Sequence, residues 1–290
     1  MRLSLSALLA LYTLAACSPE GAPAERRALH GEDVPAYLRM VREDREKVLR
    51  GVQEAAQRVE PAYRGDVDQA ERARRLTDML DRVDAPRRGV AELVFSPVLF
   101  IGGTDQDGAL LAEVGVRDGA KVGLGSHYRA FEVVQQALAG TPGHAVVDLA
   151  EIVEEDEGPT DTWLFAAPIF GADQEVMGAL VAGIPLWRQA QRLTAQMRLE
   201  QADAVVAGRV VWAYLARGDQ AYASREPTAS NDVTDVVPDA ATRTAGLRRS
   251  PGGYVTDLSL FRRWYGLAVI PLPTLAEDVH LVAFRANAPE

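Results

Sequence analysis

Cysteine and lysine are scarce in this chain of 290 residues. Cys17 is the only cysteine, so no disulfide can form within the chain and its stability must come from packing. Only Lys47 and Lys121 are lysines among 31 basic residues, a bias that we attribute to GC-rich codon usage. The histidines are scattered and lack any metal-ligand spacing: His30, His127, His144 and His280. We therefore expect no metal site and no cofactor.

Catalytic motifs are also missing. The sequence has no G-x-S-x-G elbow and no S-x-x-K motif, and "GLGSHY" has Tyr128 where a dinucleotide loop needs its third glycine. "GGTDQDG" fails as a calcium loop, because placing Gly108 at its sixth position puts Val114 where a glutamate is required. These absences predict that the protein is not an enzyme. The net charge of -10 argues against nucleic acid or anionic lipid headgroups as partners.

The one long apolar stretch lies at the start, in "LSALLALYTLAACSPEGAP" from Leu5 to Pro23. Arg2 precedes an apolar segment, Leu5–Leu14, that has the length of a signal-peptide core. That segment is too short to cross a bilayer, which needs about 20 apolar residues.

The residues before the cysteine, "LAAC", resemble the lipobox of bacterial lipoproteins. This resemblance implies that residues 1–16 are a lipoprotein signal peptide and that Cys17 carries lipid, which would make the membrane a partner. In that family an aspartate after the cysteine favours the inner membrane, so Ser18 implies outer-membrane localisation. The alternative is an ordinary secretory signal with an incidental cysteine.

Residues 17–32 are rich in proline, glycine, alanine and charge, which predicts a flexible tether. Residues 33–91 are expected to be an N-terminal helical segment. Apolar residues recur there every three or four positions from Val34 to Val59, with Asp33 as the expected cap. A second helix is expected from about Val67 to Val83.

Short strands and turns fill the remaining sequence. They predict a sheet module over residues 92–187, a linking helix over 188–205 and a second, smaller module over 206–290. Each half has an early hairpin, a variable middle and a closing pair of long strands, which is a weak repeat of architecture. The middle of the second half, "PTASNDVTDVVPDAATRTAGLRRSPGG", is expected to be a loop.

The best-defined stretch is "QQALAGTPG" followed by "WLFAAPIFGADQEVMGALVAGIPL". A helix ends there in an alanine-leucine-x-glycine turn, and an alanine-proline-isoleucine strand, a polar hairpin and a glycine-rich strand follow. This order resembles the Cache family of extracytoplasmic sensor domains, which share the PAS-like fold. The resemblance implies an α+β fold, with long N-terminal helices followed by one or two PAS/Cache-like antiparallel sheet modules.

Cache relatives often bind small organic acids or amino acids through aromatic and arginine side chains, at the segment corresponding to Gly123–Phe131. The resemblance and the strand alternation together suggest five ligand-binding residues: Tyr128, Arg129, Asp148, Trp163 and Phe165. Arg129 would pair with a carboxylate and Asp148 with an amine. The alternative is that the two aromatic residues of the strand are core and that Arg129 and Asp148 are solvated.

Two functions remain open from the sequence. One is a ligand-binding sensor, and the other is a structural or adaptor lipoprotein of an envelope or motility complex, without a small ligand. Typical Cache domains lie between two transmembrane helices and signal to a kinase or chemoreceptor module. This sequence has neither a second such segment nor an output module, so a sensor is expected to report to a separate partner protein. A pocket would distinguish a sensor from an adaptor.

Overall fold

The computed structural model of the protein describes residues 26–115, 128–149, 161–223, 237–260 and 263–286. The predicted signal peptide, Cys17 and most of the predicted tether lie outside the described residues. Among the helices that are described, none is both long and apolar enough to cross a membrane.

The helices of the described residues are α1 (Val34–Val59), α2 (Gln69–Val83), α3 (Ala91–Val94), α4 (Glu132–Leu138), α5 (Leu186–Glu200), α6 (Ala202–Val206) and α7 (Ala240–Arg249). The apolar periodicity in the sequence predicted α1, and the buried residues of this helix lie along one face. Asp68 caps α2, because its side chain accepts a hydrogen bond from the Glu71 backbone N–H at 2.8 Å.

Two predictions at the start of α1 were wrong. Residues 26–32 are helical, so the flexible tether predicted for 17–32 does not extend over its described part. A π-helical turn, Leu29–Asp33, leads directly into α1, and Asp33 makes no capping bond. Two tertiary contacts explain the difference: Leu29 is fully buried, and the Asp33 carboxylate pairs with Arg285 at 3.0 Å.

The strands form two antiparallel sheets: β1 (Phe100–Thr104), β2 (Leu110–Gly115), β3 (Gly143–Asp148), β4 (Asp161–Phe170) and β5 (Val176–Pro185), then β6 (Val210–Arg217), β7 (Gln220–Tyr222), β8 (Tyr254–Leu260), β9 (Arg263–Pro271) and β10 (Val279–Ala286). The N-terminal sheet has the order β2-β1-β5-β4-β3 and the C-terminal sheet the order β7-β6-β10-β9-β8. If the five strands of each sheet are counted in chain order, both sheets have the spatial order 2-1-5-4-3.

The long helices α1 and α5 cover one side of the two sheets, and the short helix α4 packs on the opposite side of the N-terminal sheet. α1 packs on β4 and β5, and α5 packs on β6. One hydrophobic core runs continuously across this helix side and joins α1, α2 and α5 to residues of both sheets. We call the opposite face of each sheet its far face. The two far faces have separate apolar clusters, so the sheets share one core and keep one distinct surface each.

The sequence predicted a loop for the middle of the second half, but part of this segment is helical. Residues 240–249 form α7, which begins where the Asp239 side chain accepts a hydrogen bond from the Thr242 N–H at 2.7 Å. Its buried residue is a cation, Arg243, so the usual apolar stripe of a packed helix is absent from its sequence. This explains why periodicity did not reveal it.

Polar contacts join the two sheets near the start of β4, the end of β6 and the short strand β7. The Arg217 guanidinium pairs with Asp161 at 2.6 Å and with Asp278 at 2.7 Å. The Tyr222 hydroxyl donates a hydrogen bond to the other Asp161 oxygen. The start of β4 is therefore tied to β6 and β7 by charge-assisted hydrogen bonds.

Candidate ligand-binding site

Alternation along β4 separates the predicted site residues between the two faces of the N-terminal sheet. Trp163 and Phe165 point into the core on the helix side. Leu164 and Ala166 point to the far face, where they pack with Tyr128. The structure therefore does not place Tyr128 and Trp163 in one pocket.

The aromatic residues of β4 form a closed cluster with His144. The ring centroids of Trp163 and Phe165 are 4.7 Å apart, and both side chains are fully buried. The Trp163 indole N–H donates to His144 Nδ1 at 3.1 Å. Burial, assisted by the charge of Arg45, lowers the pKa of His144, which favours the neutral ring that this hydrogen bond requires. Packing beneath α1 thus occupies the positions expected to cap a ligand.

Tyr128 lies on the far face with different surroundings. Its backbone N–H donates to the Gly108 carbonyl at 2.9 Å, which fixes the short 3-10 turn Tyr128–Ala130 against the β1–β2 turn. The ring is fully buried, and its hydroxyl has no hydrogen-bond partner among the described residues. Burial, followed by the negative charge of Glu113, raises the pKa of this phenol well above its usual value. Tyr128 therefore offers a neutral hydroxyl inside an apolar layer.

The two predicted charged residues are near the surface. Arg129 is exposed, and its guanidinium lies 3.5 Å from Asp107, which is more exposed still. Asp148 ends β3 opposite Asp161, and its side chain is exposed. Asp148 alternates onto the same face of the sheet as Trp163 but lies at the exposed end of β3, whereas Arg129 lies in the turn Tyr128–Ala130. Residues 123–127 of the predicted binding segment lie outside the described residues.

Sequence reasoning missed Glu113. It lies on β2 opposite Gly102, between two residues whose side chains enter the helix-side core, so it points to the far face with Tyr128. A Cβ at Gly102 would come within 2.8 Å of the Leu110 side chain, so the glycine leaves room for Leu110 on this face. A single glutamate on a short strand resembles a solvated residue, so no pattern in the sequence marked it as a site residue.

The N-terminal far face therefore combines an apolar lining with two polar groups. The lining residues come from four strands and α4: Phe100, Leu110, Val133, Val134, Leu164, Ala166, Ala179 and Val181. Tyr128 adds a hydroxyl and Glu113 a carboxylate. A mostly apolar environment with a few convergent polar groups is the usual composition of a small-molecule site.

A concavity lies between α1 and α5. It has a volume of about 140 Å³ and is lined mainly by charged side chains, which include Arg39, Glu43 and Lys47. At its base Asp44 receives two hydrogen bonds from Arg192, both at 2.8 Å, and one from Gln189 at 3.0 Å. These contacts already satisfy the Asp44 carboxylate, so the cleft serves mainly to join the helices. No group of three or more metal-ligating side chains occurs within the described ranges.

No protein-family model and no curated protein matches this chain. Solved structures with a related fold do exist. The extracellular domain of vpHK1S-Z8, described as a histidine kinase, matches with a TM-score of 0.55 and 13% identity over 91% of each chain.

Two chemoreceptor domains also match, with lower TM-scores. The ligand-binding domain of Campylobacter jejuni Tlp3, solved with L-valine, has a TM-score of 0.47 and 12% identity over 92% of this chain and 97% of its own. That of the Pseudomonas aeruginosa amino acid chemoreceptor PctC, solved with GABA, has a TM-score of 0.46 and 16% identity over 90% of this chain and 99% of its own.

At 13% identity the match to vpHK1S-Z8 describes the fold and not the function. The α+β prediction is confirmed, because N-terminal helices precede two antiparallel five-stranded sheets. The extracellular domain of vpHK1S-Z8 shares this fold.

Proposed function

We propose that the protein is an extracytoplasmic sensor that binds a small amino acid on the N-terminal far face. It is held at the outer membrane by lipid on Cys17 and reports to a separate signalling or envelope protein. The observation that carries the proposal is the buried Tyr128 hydroxyl, which has no partner among the described residues and lies in an otherwise apolar layer.

The chemistry of this face favours an amino acid. The Tyr128 hydroxyl can donate a hydrogen bond to a carboxylate oxygen, since its raised pKa keeps it protonated. The negative charge of Glu113 on the same face suits an ammonium group, and the aliphatic lining suits a small apolar side chain. Arg129 and Asp148 are not part of this site, because both side chains are exposed to solvent.

Ligand-induced stabilisation of the purified protein tests this function. Each standard amino acid would be screened by thermal shift, since a ligand at 100 times its Kd stabilises by roughly 2.7 kcal/mol. The best ligand would then be titrated against Tyr128→Phe, for which we expect roughly tenfold weaker binding.

Tyr37→Phe is the matched control. Tyr37 is also fully buried and its hydroxyl also lacks a partner among the described residues, but it lies in the helix-side core. We expect this variant to bind as the unmodified protein does. Equal binding by both variants would remove the site from the N-terminal far face, and no stabilisation by any amino acid would contradict the proposed ligand class.

The lipid anchor has its own test. Cys17→Ser should move the protein from the membrane fraction to the soluble fraction, because no thiol remains to accept the lipid. A variant that still pellets with membranes and still loses residues 1–16 would contradict lipidation.

A structural or adaptor lipoprotein without a small ligand is the second candidate. The observation in its favour is the filled cluster of Trp163, Phe165 and His144, which leaves no room for a ligand on the helix side. Failure of the amino acid screen would favour this function.

A further inference from the structure

The C-terminal far face contains a buried cation. Arg243, on α7, is only 2% exposed. Its two terminal nitrogens donate hydrogen bonds to the backbone carbonyls of Pro238 and Gly218. The guanidinium is therefore held in a fixed orientation between the start of α7 and the β6–β7 turn.

This cation lacks an anionic partner among the described residues. No carboxylate described there lies within ion-pair distance of it, and its Nε is buried without an acceptor. Asp219 and Asp239 act on it only at longer range, and burial lowers the pKa of the guanidinium. Since arginine remains protonated in proteins, the described residues leave this buried charge without a carboxylate partner, which is unfavourable unless something completes the site.

Tyr254 and His280 bring two more unsatisfied polar atoms to the same face. The Tyr254 hydroxyl and His280 Nδ1 are buried, and neither has a hydrogen-bond partner within the described part of the chain. The Tyr254 ring lies against α7 one turn beyond Arg243, where a Cβ at Gly246 would be 2.2 Å from the ring. His280 pairs with Ala216, two residues before Gly218, and alternation along β10 directs its side chain to the far face.

The electrostatic coupling agrees with this placement. Burial raises the pKa of Tyr254, and the charge of Arg243 opposes that rise. Burial and then Arg243 lower the pKa of His280, which Asp278 opposes. Arg243 therefore lies near enough to both side chains to influence their protonation.

We infer that Arg243, Tyr254 and His280 form a binding site for the carboxylate of a small organic acid, separate from the proposed amino acid site. One carboxylate oxygen would accept from Arg243 Nε and the other from the Tyr254 hydroxyl. Neutral His280 can carry its proton on Nδ1 and add a third donor. The sheet beneath presents Val269 and Val282, both fully buried and apolar, so we expect the carboxylate to carry a short aliphatic chain.

Calorimetric titration with matched probes tests this inference. Propionate carries the carboxylate and propionamide is its neutral analogue, so only propionate should bind saturably to the full chain at pH 7 and constant ionic strength. Formate, acetate, butyrate and lactate extend the panel, and inorganic phosphate tests for a general anion site. Amine buffers without carboxylates keep the site free for the probe.

Tyr254→Phe is the decisive variant, because it removes the hydroxyl and keeps the ring that packs on Gly246. We expect roughly tenfold weaker propionate binding, since one hydrogen bond to a charged group is lost. Arg243→Lys should abolish binding, and if that variant does not fold, Tyr254→Phe still decides. Tyr37→Phe is the matched control, because the Tyr37 hydroxyl is buried without a partner among the described residues and lies outside both proposed sites, so propionate affinity should stay unchanged. Tyr128→Phe tests whether propionate instead occupies the N-terminal far face.

Three results would overturn the inference. The first is the absence of saturable binding across the carboxylate panel. The second is that propionamide, or phosphate, binds as tightly as propionate. The third is that Tyr254→Phe binds propionate with unchanged affinity. Weakening by Tyr128→Phe instead would move the carboxylate to the N-terminal far face. Because Tyr254→Phe should leave amino acid binding intact, failure of this site is distinguishable from failure of the proposed function.

Discussion

The N-terminal and C-terminal sheets have the same strand order but present different far faces. Both contribute one face to the continuous core beneath α1 and α5. On the N-terminal far face, the polar groups are the Tyr128 hydroxyl and the Glu113 carboxylate. On the C-terminal far face, Tyr254 is accompanied by a cation, Arg243.

This difference teaches that topology fixes where a site can form, while single side chains decide what it can bind. Each far face has one buried tyrosine hydroxyl without a partner among the described residues, but the neighbouring charge has the opposite sign. An ammonium group suits the first face and a carboxylate the second. The shared core raises the further question of whether the two sheets unfold independently.

The largest effect is expected from Arg285→Met, which tests the shared core. Arg285 lies on β10 of the C-terminal sheet, and its guanidinium pairs at 3.0 Å with Asp33, which precedes α1 and is 1% exposed. Removing the cation leaves a buried carboxylate without its partner, a change that costs about 3–5 kcal/mol. Urea unfolding at pH 7 would measure it, and we expect one cooperative transition for the whole protein.

Arg74→Met is the control for this variant, because Arg74 is exposed and, among the described residues, its ion pairs are with Glu71 and Asp78 of α2. Its stability should change little. If Arg285→Met instead produced two separate transitions, with only one moved to lower urea, the two sheets would be independent units.

A smaller loss is expected from Tyr222→Phe, which removes one link between the sheets. The Tyr222 hydroxyl donates to the Asp161 carboxylate across the boundary between β7 and β4. A hydrogen bond to a charged group contributes about 1.5–3 kcal/mol, so the free energy of unfolding should fall by an amount of that order. Thermal or urea unfolding would measure it.

Tyr254→Phe makes the same chemical change without removing a bond, because the Tyr254 hydroxyl has no partner among the described residues. Its stability should stay the same or rise. Equal losses in the two variants would mean that the Asp161 contact contributes nothing specific.

The sequence predicted the elements better than it predicted the site. Apolar periodicity indicated α1, and alternation correctly placed Trp163 and Phe165 on one face of β4. Alternation does not say which face a helix will cover, and α1 covers the one with these aromatics. Tertiary packing therefore decided against a shared pocket with Tyr128. The proposed carboxylate site was beyond sequence reasoning, because only the fold brings Arg243 and His280 to the same face of the C-terminal sheet.

The smallest effect concerns two histidines that distinguish the sheets, His144 and His280. Desolvation by burial is the main cause that lowers the pKa of both side chains. The positive charge of a nearby arginine lowers it further, Arg45 for His144 and Arg243 for His280. A folded pKa below the unfolded value of about 6.5 gives stability that is complete above that pH and is lost as pH falls through the folded pKa.

His144 should contribute the larger share of this acid-dependent loss, because protonation also breaks the hydrogen bond from the Trp163 indole to Nδ1. His144→Asn retains an acceptor and does not titrate, so the melting temperature should fall less between pH 7 and pH 5 than in the unmodified protein. His280→Asn should have a smaller effect on this fall in melting temperature than His144→Asn, since no described residue bonds to His280 Nδ1. Melting curves in buffers without carboxylates would measure both. A pH profile unchanged by His144→Asn would assign the acid sensitivity to other groups.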